Sequence, residues 1–337
     1  MAVIGNTFLN LLDTHRESSE GAVLELLSRT TAVTSDAFIG AANRGTYHEH
    51  KIRTGLPTVT WGALYQGIPQ SKGSTQIVKD TTGFVESLSS IDERLIQIEP
   101  ENSNRLRQIE LAGHMEAMSQ EWETGIFYHD TASAPEKIKG LTSRYNALSN
   151  PNVVSAAGNG SDNTSLWFVT WGEEFTSLIH PQGVPAGVTR EDKGRQRVLD
   201  GNGNPYYVQE ELVRLHTGVS VGDWRYNARI CNIDVSDLAA GSVDIYKFMR
   251  QAYYKLQGRR VARPGNEIMG NAPAPRTVIY CNRNVLEALD ALATNKGASD
   301  NFVRLTPMEI AGEEVLTWRG LPIRETDALL NTEAAVA

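Results

Sequence analysis

The stretch Ser103-Asn-Arg-Leu-Arg-Gln-Ile-Glu-Leu-Ala-Gly-His-Met-Glu-Ala-Met-Ser-Gln-Glu-Trp-Glu-Thr-Gly-Ile-Phe-Tyr128 decides the fold. Leu106, Ile109, Ala112, Met115, Met118, Trp122 and Ile126 recur at spacings of three and four, the period of a helix with one apolar stripe. Asn102 or Ser103 can cap its start, and His129-Asp-Thr-Ala-Ser-Ala-Pro135 ends it. A helix over 103–128 is a rod roughly 39 Å long at about 1.5 Å per residue. That exceeds the usual helix of about 11–12 residues, so the rod must lie along a sheet or span the molecule.

On its N-terminal side the chain changes character. Leu56-Pro-Thr-Val-Thr-Trp61, Gln76-Ile-Val-Lys-Asp80, Gly83-Phe-Val-Glu-Ser-Leu88 and Leu95-Ile-Gln-Ile98 are short strand-like runs, with turn chemistry at Gly67-Ile-Pro-Gln-Ser-Lys-Gly73. Residues 48–98 are therefore expected to project as a long hairpin too poor in apolar residues to fold alone. Residues 1–47 carry mixed apolar spacings broken by Gly5, Gly21, Gly40 and Gly45, and are expected to form an arm with one or two short helices. Both segments look for a partner outside their own core.

On the C-terminal side the pattern is mostly strands. Ser165-Leu-Trp-Phe-Val-Thr-Trp-Gly172 is a continuous apolar run, and Asp200-Gly-Asn-Gly-Asn-Pro205 is a hairpin signal. Further strands are expected at 212–215, 219–221, 224–233 and 276–281, and two strands with a tight turn over 314–324. Helices are expected at about 243–256 and after Cys281, the latter capped by Asn284 with Glu287 three residues on. The fold class is α+β.

The 337 residues carry a formal net charge of −8, which argues against a dedicated nucleic-acid binder but not against a protein that surrounds DNA without gripping it. Cys231 and Cys281 are too few and too far apart for a zinc site, and read as buried thiols of a reducing cytoplasm. No signal peptide or membrane span is visible, so a soluble, intracellular protein without a membrane partner is expected.

Candidate chemistry is sparse. His48 and His50 share one side of a strand but lack a third metal ligand, and read as solvated surface. Asp200, Asn202, Asn204 and Glu211 fit positions 1, 3, 5 and 12 of a calcium loop, yet Pro205 stands where that loop needs glycine, and the flanks look like strands. Gly158-Asn-Gly-Ser-Asp162 lacks the lysine and following helix of a phosphate loop. Cys281 with His216 or His180 has nothing to fix a thiol–imidazole geometry. The pairs Glu173-Glu174, Glu210-Glu211 and Glu313-Glu314 read as solvated neighbours facing apart. The expectation is no catalytic, cofactor or metal site. Of the six tryptophans, Trp61 stands out, because aromatic anchors dominate interfaces and it sits near the projecting hairpin.

The order of parts resembles the major capsid proteins of tailed bacteriophages, particularly short-tailed ones, with the HK97-like fold. The likeness is carried by Gly55-Leu-Pro-Thr-Val-Thr-Trp61, Gly160-Ser-Asp-Asn-Thr-Ser-Leu-Trp-Phe-Val-Thr-Trp-Gly172, Val219-Ser-Val-Gly-Asp-Trp-Arg-Tyr226, Asn232-Ile-Asp-Val-Ser-Asp237, Cys281-Asn-Arg-Asn-Val-Leu-Glu-Ala-Leu289 and Trp318-Arg-Gly-Leu-Pro-Ile-Arg324, continuing through Glu-Thr-Asp-Ala-Leu-Leu330. The resemblance implies an N-terminal arm (1–47), an extended loop (48–98), a peripheral domain (99–164) with a spine helix at 103–128, an axial domain (165–300) and returning peripheral strands (301–337). It implies hexamers and pentamers in an icosahedral virion shell around double-stranded DNA, contacted without sequence specificity and assembled in the bacterial host cytoplasm. A separate scaffolding protein and a portal are implied partners, and a decoration protein is a further candidate. Trp61, Lys72 and Lys79 in the loop are the expected inter-subunit contacts; no crosslinking chemistry is assigned to the lysines. The competing readings are an encapsulin-like compartment shell of the same fold and a β-rich hydrolase.

Overall fold

The computed structural model describes residues 32–98, 103–257, 275–294, 305–310 and 313–337. Of the arm expected over 1–47 with one or two short helices, residues 1–31 lie outside them, and the described part holds one short helix, Ala32–Asp36. The elements in order are α1 (Ala32–Asp36), β1 (Ile39–Ala41), β2 (Tyr47–Gly55), β3 (Ser74–Thr81), β4 (Gly83–Asp92), α2 (Glu93–Ile98) and α3 (Ser103–Tyr128). There follow β5 (Val153–Ser155), β6 (Asn163–Trp171), β7 (Thr176–His180), β8 (Val188–Leu199), β9 (Pro205–Val221) and β10 (Ala228–Asp234). Then come α4 (Val235–Ala239), α5 (Ile245–Lys255), β11 (Arg276–Cys281), α6 (Arg283–Thr294), β12 (Thr306–Ile310), β13 (Glu313–Trp318) and β14 (Leu321–Glu325). The architecture is α+β, as the sequence implied.

The organising strand is β6. It pairs antiparallel with β10 and β11, and all nine of its residues are buried. Its two faces belong to different cores. Trp167, Val169 and Trp171 join Val278 and Tyr280 of β11 under the C-terminal half of α3, around Trp122, Ile126 and Phe127. Leu166 and Phe168 join Ile230 of β10 and Ile279 of β11 under α4, α5 and α6. A strand covered on both sides reads as an unbroken apolar run, which is why 165–172 is legible and its sidedness is not.

The 17-residue strand β9 links this sheet to a second region. Its C-terminal end pairs with β7, while the rest pairs with β8 on one side and β4 on the other. Helix α3 lies across β4 and β9, where Trp122 Nε1 donates to Thr217 Oγ1 at 3.0 Å and His114 Nδ1 sits 2.6 Å from Ser87 Oγ. The helix ends where residues 140–142 fold back onto it. The N–H groups of Gly140, Leu141 and Thr142 donate to the carbonyls of His129, Ile126 and Phe127, each at 2.8 Å, satisfying the last turn. Only glycine fits at 140, since a Cβ there would lie 2.8 Å from the Gly125 carbonyl oxygen.

Several expectations are corrected. Leu56–Trp61 is not a strand: Pro57 offers no N–H, and residues 56–73 run without ladder pairing. Residues 95–98 are helical in α2, because the Asp92 side chain accepts from the Arg94 N–H at 2.8 Å and caps the helix. Residues 83–92 leave the hairpin to pair with β9. The strands expected at 212–215 and 219–221 are one, and Trp224–Tyr226 is a 3₁₀ turn before β10. The cap of α6 is Asn282, whose Oδ1 accepts from the Asn284 N–H at 3.0 Å, while Asn284 lies inside the helix.

Candidate functional site

β2 and β3 form a two-stranded ribbon that carries the 56–73 loop away from the body. Leu56, Val59, Trp61, Leu64, Tyr65 and Ile68 are each at least 78% exposed, with Trp61 at 98%. Six large apolar side chains on one unpaired loop form a surface that a monomeric chain would have no reason to keep in water. Lys72 is exposed beside them, and Lys79 lies on β3 with its Nζ 5.2 Å above the Tyr47 ring. A cleft of about 660 Å³ opens between the ribbon, from Lys51 to Leu56, and the turn Gly222–Arg225.

The base of the ribbon is rigidly held. Asp80, 1% exposed, accepts from Arg144 Nη2 at 2.8 Å, Ser220 Oγ at 3.0 Å and the Val221 N–H at 3.2 Å. His50, across the ribbon, places Nδ1 3.9 Å from Asp80 and is largely buried, contrary to the solvated reading. Burial lowers its pKa, with Asp80 opposing and His48 and Arg144 reinforcing the shift. The His48 and His50 rings lie 6.1 Å apart, tilted by 38°.

Two more buried carboxylates pin the ends of the described body. Asp36, where α1 begins the body, pairs with Arg276 at 2.7 Å and Arg324 at 3.2 Å. Glu333, near the C-terminus, accepts from Arg229 Nη2 at 2.9 Å, from Ser165 Oγ at 2.5 Å and from Tyr128 OH. Glu123 on α3, 8% exposed, accepts from Thr326 at 3.0 Å, and burial pushes its carboxyl up to about 7. None of these partnerships has a sequence spacing that announces it.

The remaining candidates separate. Asp200 Oδ1 accepts from the N–H groups of Asn202 and Asn204 at 2.9 and 2.8 Å, which makes a hairpin turn of the calcium-like run. Glu211 is 3% exposed and paired with Arg107 and Arg190, so it is not the solvated residue expected; it ties α3 to the β8–β9 hairpin. Around Gly158 and Gly160 stand the Asp162 and Asp234 carboxylates, which repel a phosphate. Cys281 is fully buried, its thiol pushed up to about 12, while His216 packs on Phe84 and His180 bonds the Val184 carbonyl. Both cysteines are free and buried. Among the described residues no group of three or more His, Cys, Asp or Glu could hold a metal ion, and no helix is long and apolar enough to cross a membrane. What the molecule presents is an exposed apolar loop on a two-stranded ribbon.

The family model for major capsid protein GP7 matches residues 15–337. The chain belongs to that family. Its fold is that of the capsid of bacteriophage Epsilon15, at 29% identity over 90% of this chain and 88% of that one, with a TM-score of 0.68. More remote likenesses are the bacteriophage JBD30 capsid (7% identity, 93% and 94% coverage, TM-score 0.48) and an encapsulin of Synechococcus elongatus PCC 7942 (8% identity, 58% and 85% coverage, TM-score 0.41). No curated protein matches the chain. This is a bacteriophage major capsid protein with the HK97-like fold, and its place is the virion capsid.

Proposed function

We propose that this capsid protein closes into hexamers and pentamers of an icosahedral shell around double-stranded DNA, and that it catalyses nothing. The observation that carries the reading is the projecting 56–73 loop, whose apolar side chains are almost wholly exposed in the single chain. Burying one such side chain is worth about 1.5–3 kcal/mol, so a loop of six offers on the order of 10 kcal/mol before the costs of association. The open face of β4, with Phe84 59% and Leu88 47% exposed on either side of the Glu86–Arg214 pair, is the surface we assign to a neighbouring copy. A protrusion on one side and a receptive face on another make a head-to-tail contact, which propagates into rings and curved lattices. Trp61 is the anchor of that contact, with Lys72 and Lys79 at its edge. Arm (1–47), extended loop (48–98), peripheral domain (99–164), axial domain (165–300) and returning strands (301–337) are the divisions we assign to the subunit.

A scaffolding protein, a portal and a decoration protein are the partners such a shell requires or accepts, and assembly takes place in the host cytoplasm. Negative-stain electron microscopy of the protein, expressed alone and with a scaffold candidate, tests the reading. Closed particles or curved sheets are expected. A uniform monomer or dimer under both conditions would overturn it.

A further inference from the structure

Several exposed arginines of this acidic chain are neutralised by a carboxylate: Arg94 by Asp92, Arg195 by Glu93, Arg225 by Asp223 and Arg283 by Glu325. On one face, unpaired cations fall in a row. On α5, Ile245, Met249 and Ala252 point into the core, which leaves Lys247, Arg250 and Tyr254 exposed along the opposite side. Their spacing of three and four aligns them on a line roughly 10 Å long. The β13–β14 turn adds Arg319 to the end of this line. Its guanidinium lies 5.2, 5.6 and 4.9 Å from the ring centroids of Tyr253, Tyr254 and Trp318. Among the described residues no carboxylate pairs with Lys247, Arg250 or Arg319.

The turn itself says that the side chain of Arg319 matters. Trp318 and Leu321 are paired across a two-residue turn in which Arg319 has φ 53° and Gly320 φ 77°. That left-handed geometry favours Asn-Gly, and a residue such as arginine in it costs about 1 kcal/mol or more. The local backbone would be more stable with asparagine; what arginine adds is a guanidinium fixed on an aromatic shelf. Such a cation keeps its charge, is weakly hydrated and presents a planar fork suited to phosphate oxygens.

We infer that the outer face of α5 and the β13–β14 turn form a contact for the phosphate backbone of nucleic acid, without base readout. The inference rests on the proposed reading that the shell encloses DNA, and it places this face toward the interior. A row of separated cations on an open helix surface matches evenly spaced phosphates; it offers no groove for the side chains of an acidic peptide. Contacts of this kind are weak singly and add up over many copies. An overall charge of −8 keeps the rest of the wall from gripping.

The test compares wild type with the triple variant Lys247→Gln, Arg250→Gln, Arg319→Asn and with Arg319→Asn alone, a substitution that the turn accepts. Binding of unassembled protein to a labelled 20-base-pair duplex is followed by fluorescence anisotropy across a salt series. Wild type is expected to show a log–log salt slope steeper than the triple variant by about 2–3, with Arg319→Asn between them. In DNA-filled particles, ultraviolet cross-linking should join DNA to peptides containing Tyr254 or Trp318. Equal slopes, preferential binding of polyglutamate over the duplex, or labelling of Lys247 in intact particles by a shell-impermeant amine reagent would each overturn the inference. Electron microscopy of the same preparations keeps the two ideas apart. Particles formed by the triple variant leave the shell reading standing whatever the slopes, whereas absence of wild-type particles sinks that reading on its own.

Discussion

Strand β6 and the 56–73 loop are both rich in large apolar side chains, and their fates in the single chain are opposite. Trp167 on β6 is fully buried, touching Phe127 and Tyr145 at 6.2 and 5.7 Å between ring centroids, whereas Trp61 on the loop is 98% exposed. The difference lies in what surrounds each run. β6 has strand partners on both sides and helices on both faces, so every residue finds cover within its own chain. The loop has Pro57, Gly62, Gly67, Pro69 and Gly73, which deny it a ladder, and a ribbon that carries it away from the core. The same chemistry stabilises the subunit in one place and, in the proposed shell, the contact between copies in the other.

That contrast can be broken by paired substitutions. Trp167→Ala is expected to destabilise the unassembled subunit by about 3–5 kcal/mol in urea titrations, through the cavity left in the core under α3. Trp61→Ala should change that midpoint by no more than about 0.5 kcal/mol, because the ring is 98% exposed. Comparable losses at the two sites would refute the division of labour.

The base of the ribbon separates the two regimes. Asp80→Ala strands the Arg144 guanidinium in a buried site and is expected to cost about 3–5 kcal/mol by the same measurement. Amide exchange should rise in β2 and β3 before it rises in β6, since the ribbon loses its anchor to β9 while the central sheet keeps both cores.

Glu123 sharpens the comparison with a pH signature at the far side of the core. Its carboxyl is raised to about 7 against an ordinary 4.5, which disfavours the ionised form in the folded state by about 3 kcal/mol. A raised acid contributes stability that is complete below pH 4.5 and is lost as pH climbs through 7. Glu123→Gln should therefore flatten the decline between those values in thermal melts, and an unchanged decline would locate the titration elsewhere. A more modest loss is expected at the end of α3. Gly140→Ala forces a methyl group against three carbonyl oxygens at 2.8–3.0 Å and should cost about 1–3 kcal/mol.

Legibility in the sequence followed the same division. Helix α3, strand β6, the 200–205 hairpin turn and the final hairpin were readable because each rests on local periodicity or turn chemistry. Residues 83–92 looked like part of the projecting hairpin because a strand's pattern does not name its partner; only the fold hands them to β9. Leu95–Ile98 looked like a strand because short apolar runs are ambiguous, and the deciding signal was the Asp92 cap three residues earlier. The loop was recognisable as a projection, with Trp61 as its aromatic candidate, but not the carboxylates that hold the structure behind it. Asp80 with Arg144, Glu333 with Arg229 and Glu211 with Arg107 are separated by 64, 104 and 104 residues, and no spacing rule reaches that far.

The most direct measurement is sedimentation velocity, with electron microscopy of the same fractions, on wild type and on a variant with Val59, Trp61, Leu64 and Tyr65 changed to serine. The account predicts wild-type material in the range of large particles and a variant that is folded, melts like wild type and stays a small species. A variant that still builds shells of normal size and yield would contradict the claim that the exposed loop holds the lattice together.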